Sequence, residues 1–111
     1  METFIVRYKI KKGFVPGIKM WGKELSRRKK DVLETLKNEK VFVECAFIDS
    51  IAGENYLVYF MKCANIKEVF KQLKKSKLSI DIFHKEVLSK YLEEPVYLEK
   101  VIDFENIPLL K

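Results

Sequence analysis

The sequence predicts an α+β fold: a four-stranded antiparallel sheet with helices on one face. Three observations lead there. Apolar residues alternate with period two in some stretches and recur at helical spacing in others, giving the order β-α-β-β-α-α-β. The central stretch VFVECAFIDSIAGENYLVYFMKC, residues 41–63, reads as two strands around a turn. Both of those strands are apolar on both faces, whereas a strand with one solvated face alternates apolar with polar.

Residues 2–11 form the first strand, with Phe4, Val6, Tyr8 and Ile10 on one face and Arg7 and Lys9 on the other. KKGFVPG breaks it, and Pro16 suits the first turn of a helix. From there Ile18, Trp21, Leu25, Val32 and Leu36 recur at helical spacing to about Asn38, predicting one continuous helix. In the hairpin, Gly53-Glu54 fits the centre of a type II′ turn, which takes Gly first. That register pairs Ala52 with Asn55, Ile48 with Tyr59 and Ala46 with Met61, and puts Glu44 and Tyr59 on one face. Asn65 with Glu68 three residues on resembles a capping box and opens a helix through Ile66, Val69, Phe70 and Leu73. Ser79 or Asp81 caps the next, through Phe83, His84, Val87, Leu88 and Tyr91. Pro95 ends the helical pattern, VYLEKVIDF is the last strand, and the apolar tail ENIPLLK is placed against a neighbouring subunit.

This order is the ferredoxin-like split βαβ arrangement, one domain spanning residues 1–111. Its helices cover one sheet face and leave the other bare. An apolar bare face needs a partner surface, and the economical one is the same face of a second copy. A homodimer with stacked sheets is therefore expected.

Composition excludes several classes. The chain suffices for a hydrophobic core without disulfide or metal support. No apolar run approaches a membrane span, and METFIVRYKIKK reads as a charged strand rather than a signal peptide. Cys45 and Cys63 lack metal-type spacing and read as buried reduced thiols of a cytoplasmic protein. The net charge of +6 invites a nucleic-acid reading, but most of the lysines fall at solvent positions of helices, in KELSRRKK and KQLKKSK, which reads as a solvated face. The charge alone points to no partner, and no specific nucleic acid is expected. An RNA-recognition module would share the topology, but AGENYLVY, residues 52–59, lacks the basic residue and a stacking aromatic of the corresponding motif.

Three ionisable residues stand where apolar ones belong. Arg28 continues the stripe 18, 21, 25, 28, 32, 36; Glu44 lies between Phe42 and Ala46; and His84 lies between Ile80 and Val87-Leu88. Buried charges are costly unless paired, so the three are expected to meet, with Arg28 and Glu44 as an ion pair. Trp21 would roof the same space and Tyr59 add a hydroxyl. A ligand pocket would use Arg28 for an anionic or carbonyl group, Trp21 for a flat ligand, and Glu44 and His84 as candidate catalytic groups moving a proton. The alternative is a satisfied Arg–Glu pair with a core histidine and tryptophan. Glu24, Arg27 and Asp81 read as surface charges or caps. A metal held by Glu44, His84 and Asp81 is the weaker option, so neither metal nor cofactor is expected.

W-x-x-E-L-x-R-R, V-x-V-E-x-A-F, Y-L-V-Y-F-M and I-D-x-F-H together resemble a family of small uncharacterised bacterial proteins in the dimeric α+β barrel group, over residues 4–104. The resemblance implies a fold and a dimer, and matches Trp21, Glu24, Arg28, Glu44, Tyr59 and His84. More distantly, the chain is similar to antibiotic-biosynthesis and haem-degrading monooxygenases. The Asn that the haem enzymes carry near their first strand is missing from FIVRYKI, so the resemblance implies no haem ligand at His84.

Overall fold

The computed structural model describes residues 1–106. Its elements are β1 (Glu2–Ile10), α1 (Val15–Arg27), α2 (Lys29–Glu39), β2 (Val41–Ile51), β3 (Glu54–Cys63), α3 (Ile66–Lys75), α4 (Ser79–Tyr91) and β4 (Leu92–Tyr97). The sheet runs β2-β3-β1-β4, all neighbours antiparallel, which is the expected ferredoxin-like α+β architecture. No helix among the described residues is long and apolar enough to cross a membrane.

The expected first helix is two. Arg28, at φ −101° and ψ 35°, leaves helical geometry and serves as both C-cap of α1 and N-cap of α2. No Pro or Gly marks the break, which is why a continuous stripe predicts a continuous helix. Pro16 stands in the first turn of α1 as expected. At the other end of that helix pair, α2 stops at Lys40, whose φ of 58° is the left-handed C-cap conformation.

The hairpin turns one residue earlier than expected. Ala52 and Gly53 both take positive φ, 51° and 81°, the type I′ pattern. Ile51 therefore pairs with Glu54, Ile48 with Leu57, Ala46 with Tyr59 and Glu44 with Met61. The expected register is off by two residues. An even shift preserves the faces, so Glu44 and Tyr59 still share one. Near the open end of the hairpin the register shifts between Val41 and Val43, a bulge that accommodates Phe42.

β4 begins at Leu92, before Pro95, rather than at Val96, and ends at Tyr97. It is an edge strand, where a proline without an N–H does no harm to the ladder. Asn65 caps α3 as its sequence suggests, accepting from the Glu68 backbone N–H at 3.0 Å. The cap of α4 is Leu78, not Ser79 or Asp81, and makes no side-chain capping bond. Cys63 is buried, but Cys45 on the edge strand β2 is exposed, contrary to expectation. The expected tail contact lies outside the described residues from position 107 onward.

The core lies between sheet and helices. Val6 and Ile10 of β1 and Leu57 and Cys63 of β3 meet Ile18 of α1 and Val69 of α3 there. Gly17 lets α1 approach α4: a Cβ there would stand 2.8 Å from the Tyr91 ring, which itself stacks on Phe14. The register puts Leu57, Tyr59 and Met61 under the helices, so Val58 and Phe60 with their partners Phe47 and Cys45 occupy the outer face.

Candidate functional site

Between α2, α4 and the sheet the core is incomplete and leaves a partly open cavity of about 120 Å³. Its walls are largely apolar, with Phe4 and Tyr8 of β1, Leu36 of α2, Phe70 of α3 and Leu88 of α4. Its polar residues are Thr35 and Glu39 from α2, Glu44 from β2, Tyr59 from β3, and Asp81 and His84 from α4. A groove of about 740 Å³ between α1, α2 and the edge strand β2 adjoins the cavity, sharing Leu25, Val32, Leu36, Glu44 and Tyr59 with it. This is the usual form of a small-ligand site, apolar with a few convergent polar groups.

Trp21, Tyr59 and His84 form one cluster. The Trp21 indole stacks on the His84 imidazole at 5.5 Å between centroids, and both lie near the Tyr59 ring, at 6.3 and 6.2 Å. Trp21 Nε1–H donates to His84 Nδ1 at 3.3 Å. An indole nitrogen can only donate, so Nδ1 is unprotonated and the neutral imidazole carries its proton on Nε2. Burial, opposed by the Asp81 carboxylate, pushes the His84 pKa down to about 4. The imidazole is thus neutral at neutral pH.

The carboxyls behave oppositely. Burial, and then the charge of Asp81, push Glu44 up to about 7. Burial, followed by the charges of Asp81 and Glu44, does the same to Glu39. Neither has a hydrogen-bond donor among the described residues. Asp81 is the satisfied member: Thr35 Oγ1 lies 2.7 and 2.8 Å from its two carboxylate oxygens, and the Ser76 hydroxyl donates to one of them. That role corrects the reading of Asp81 as a cap or surface charge.

Arg28 does not join the cluster. The break between α1 and α2 carries it off the apolar stripe, and its guanidinium reaches Asp31 at 3.4 Å and the Ser79 hydroxyl at 3.1 Å. The expected Arg28–Glu44 ion pair is therefore not formed. Glu24 and Arg27 pair with each other on the surface. Glu44, Asp81 and His84 border one cavity, yet no group of three His, Cys, Asp or Glu among the described residues is arranged to hold a metal.

Sequence reasoning misses Glu39 and Thr35. The signal for Glu39 is there, since the stripe through Val32 and Leu36 continues to position 39 at helical spacing. Thr35 precedes Leu36 on the sequence, with nothing local to single it out; its significance comes from Asp81, forty-six residues away.

Comparison with known proteins supplies two findings. The profile described as "Family of unknown function (DUF6176)" matches residues 1–108. The fold is similar to the crystal structure of an L-rhamnose mutarotase from Formosa agariphila, with a TM-score of 0.60 and 22% identity over 95% of this chain and 100% of that one. No curated protein matches the chain.

Proposed function

The chain belongs to this family of unknown function, and from that premise we propose that it binds a small molecule in the cavity between helices and sheet, exchanges protons with it, and works as a homodimer. The observation that carries this reading is that a neutral imidazole, its Nδ1 held by Trp21, borders one cavity with the buried Glu39 and the half-buried Glu44, carboxyls that lack protein donors among the described residues. Glu44 near neutrality can give or accept a proton with little driving-force penalty, the property a general acid or base needs. His84 leaves its Nε2–H for a ligand acceptor, Tyr59 offers a hydroxyl, and Trp21 stiffens the imidazole from behind. The fold likeness to a mutarotase, a protein acting on a small molecule, agrees with this class of ligand but carries no residue role across at 22% identity. A monooxygenase-like oxidation is a narrower form of the same reading, and oxygen consumption during turnover distinguishes it from proton exchange alone.

Thermal-shift screening of small ring compounds, with L-rhamnose among them, tests the proposal. A ligand at a hundred times its Kd adds about 2.7 kcal/mol of stability and raises Tm accordingly. The stabilisation should shrink in His84→Ala and Glu44→Gln variants. Hits that stabilise both variants as well as the parent would place binding elsewhere. A non-catalytic interaction dimer would then be the better description, and the exposed apolar residues of β2 are the observation that favours it.

A further inference from the structure

We propose that the ligand of this cavity is a cation, a protonated amine on a compact apolar body, received by Glu39 and Glu44. The inference rests on the cavity being a binding site, as argued above, and adds the charge of what it binds.

The chain contains 22 lysines and arginines against 16 acids, yet among the described residues no lysine or arginine lines the cavity. The ionisable groups facing it are Tyr8 from β1, Glu39 from α2, Glu44 from β2, Tyr59 from β3, and Asp81 and His84 from α4. From α1 and α3 come only apolar side chains, Leu25, Val69, Phe70 and Leu73. Arg28, the nearest candidate counter-charge in the sequence, is engaged by Asp31 and Ser79. Lys75 and Lys77 line an outer pocket that Thr35, Glu39 and Asp81 also line, but the charges that shift Glu39 are those of Asp81 and Glu44.

Glu39 makes this more than an acidic cluster. It is only 8% exposed, borders the cavity, and its carboxyl has no donor among the described residues. Every fully buried side-chain nitrogen or oxygen among the described residues has a partner, so the Glu39 carboxyl, which has no protein donor, is reachable from the space it borders, and a ligand's donor can meet it there. Asp81 is already held by Thr35 and Ser76, which leaves Glu39 and Glu44 to share one incoming donor group. An ammonium brings up to three N–H donors and the opposite charge, whereas an anion would be repelled by all three carboxyls. The apolar walls then take a body about the size of one six-membered ring, on the scale of cavities that receive benzene.

Benzylamine, benzyl alcohol and benzoate differ in charge on nearly the same body and are the probes of choice, measured by calorimetry on the full chain. At pH 8, benzylamine should bind at least tenfold more tightly than benzyl alcohol, and benzoate not measurably. At pH 5.5, where Glu39 and Glu44 are protonated, the amine should lose at least tenfold in affinity while the alcohol changes little. At pH 7, amine binding should release on the order of one proton, read from its dependence on buffer ionisation heat, because the cation favours the ionised carboxyls. Glu39→Gln and Glu44→Gln, near-isosteric changes, should each remove most of the preference for the amine and leave alcohol binding in place.

Equal binding of amine and alcohol at pH 8, a preference that survives both substitutions, or no amine binding would overturn the inference. A neutral compound such as L-rhamnose whose stabilisation depends on His84 would overturn it too, while sustaining the binding-site reading. Calcium binding that competes with benzylamine would replace the amine by a metal ion and also count against it.

Discussion

At the residue scale the two glutamates and the histidine make opposing demands on stability. Glu39 and Glu44 have folded pKa values raised from 4.5 to about 7, so the native state holds protons that the unfolded chain releases. Their contribution is fully present below about pH 4.5 and is lost as pH rises through about 7. His84 is depressed from 6.5 to about 4; its contribution is present above 6.5 and lost as pH falls through 4. Between those limits the two glutamates outweigh the single histidine. Chemical denaturation should show stability declining from pH 5 to pH 8 by a few kcal/mol. Each tenfold difference in proton affinity between folded and unfolded chain is worth about 1.4 kcal/mol, before the mutual influence of the two carboxyls reduces the sum. In the Glu39→Gln/Glu44→Gln double variant the slope should reverse, with stability rising from pH 4 to 6.5 because the His84 contribution is no longer outweighed. A double variant with the parent's profile would mean that these carboxyls do not titrate in the fold. Part of this arrangement is legible in the sequence. Glu44 and His84 stand out because each interrupts a local apolar pattern, and Trp21 is drawn in by its place on the helix. Arg28 interrupts a pattern equally, yet lies elsewhere, because a pattern cannot reveal a chain break made by backbone angles alone. Glu39 is readable by the same rule, at the last turn of the stripe.

At the scale of elements, sequence periodicity captures what faces the core better than where an element turns. Strand faces follow from a period of two, so Glu44 and Tyr59 share a face even though the hairpin register is off by two. The error arises at Ala52, which takes a φ of 51°, a conformation costly for a residue with a Cβ other than Asn or Asp. A type II′ turn starting at Gly53 spares Ala52 that strain and is the natural expectation; the structure prefers type I′. Ala52→Asn should therefore stabilise the protein by up to about 1 kcal/mol, Asn-Gly being the preferred type I′ pair. Gly53→Ala, at φ 81°, should destabilise it by about the same or more. Urea midpoints at unchanged m-value check both. A destabilising Ala52→Asn would indicate that the turn starts at Gly53 after all.

At the scale of the whole molecule, one face of the sheet has its helices, and the other is covered only at one end, by the chain beyond β4. On that outer face Phe47 pairs with Val58 and Cys45 with Phe60, while Ile5 pairs with Phe60 and Val96 with Arg7 from the opposite side. Phe47 is 61% exposed and Val96 51%. The chain beyond β4 leaves from Leu98, whose N–H donates to Ile5 O at 3.0 Å, and brings Asp103 and Glu105 within 3.6 and 3.5 Å of Lys62. This contact neutralises the buried Lys62 at one end of the face, but Val101, Ile102 and Phe104 on the same segment remain outside, 71–88% exposed. Such a concentration of apolar side chains exceeds what scattered surface residues account for. A second copy related by a two-fold axis would cover the sheet face, and a stable dimer needs roughly 800 Å² from each partner. Sedimentation equilibrium at micromolar concentration should accordingly give twice the 13.2 kDa chain mass. Phe47→Asp enters a two-fold interface twice, so at about 2 kcal/mol for each central apolar side chain removed it should weaken dimerisation roughly a thousandfold. Circular dichroism should stay that of the parent, because Phe47 lies outside the core beneath the helices. A parent chain that sediments as a monomer, or a Phe47→Asp variant that dimerises as tightly as the parent, would show that the outer face is not what joins the copies.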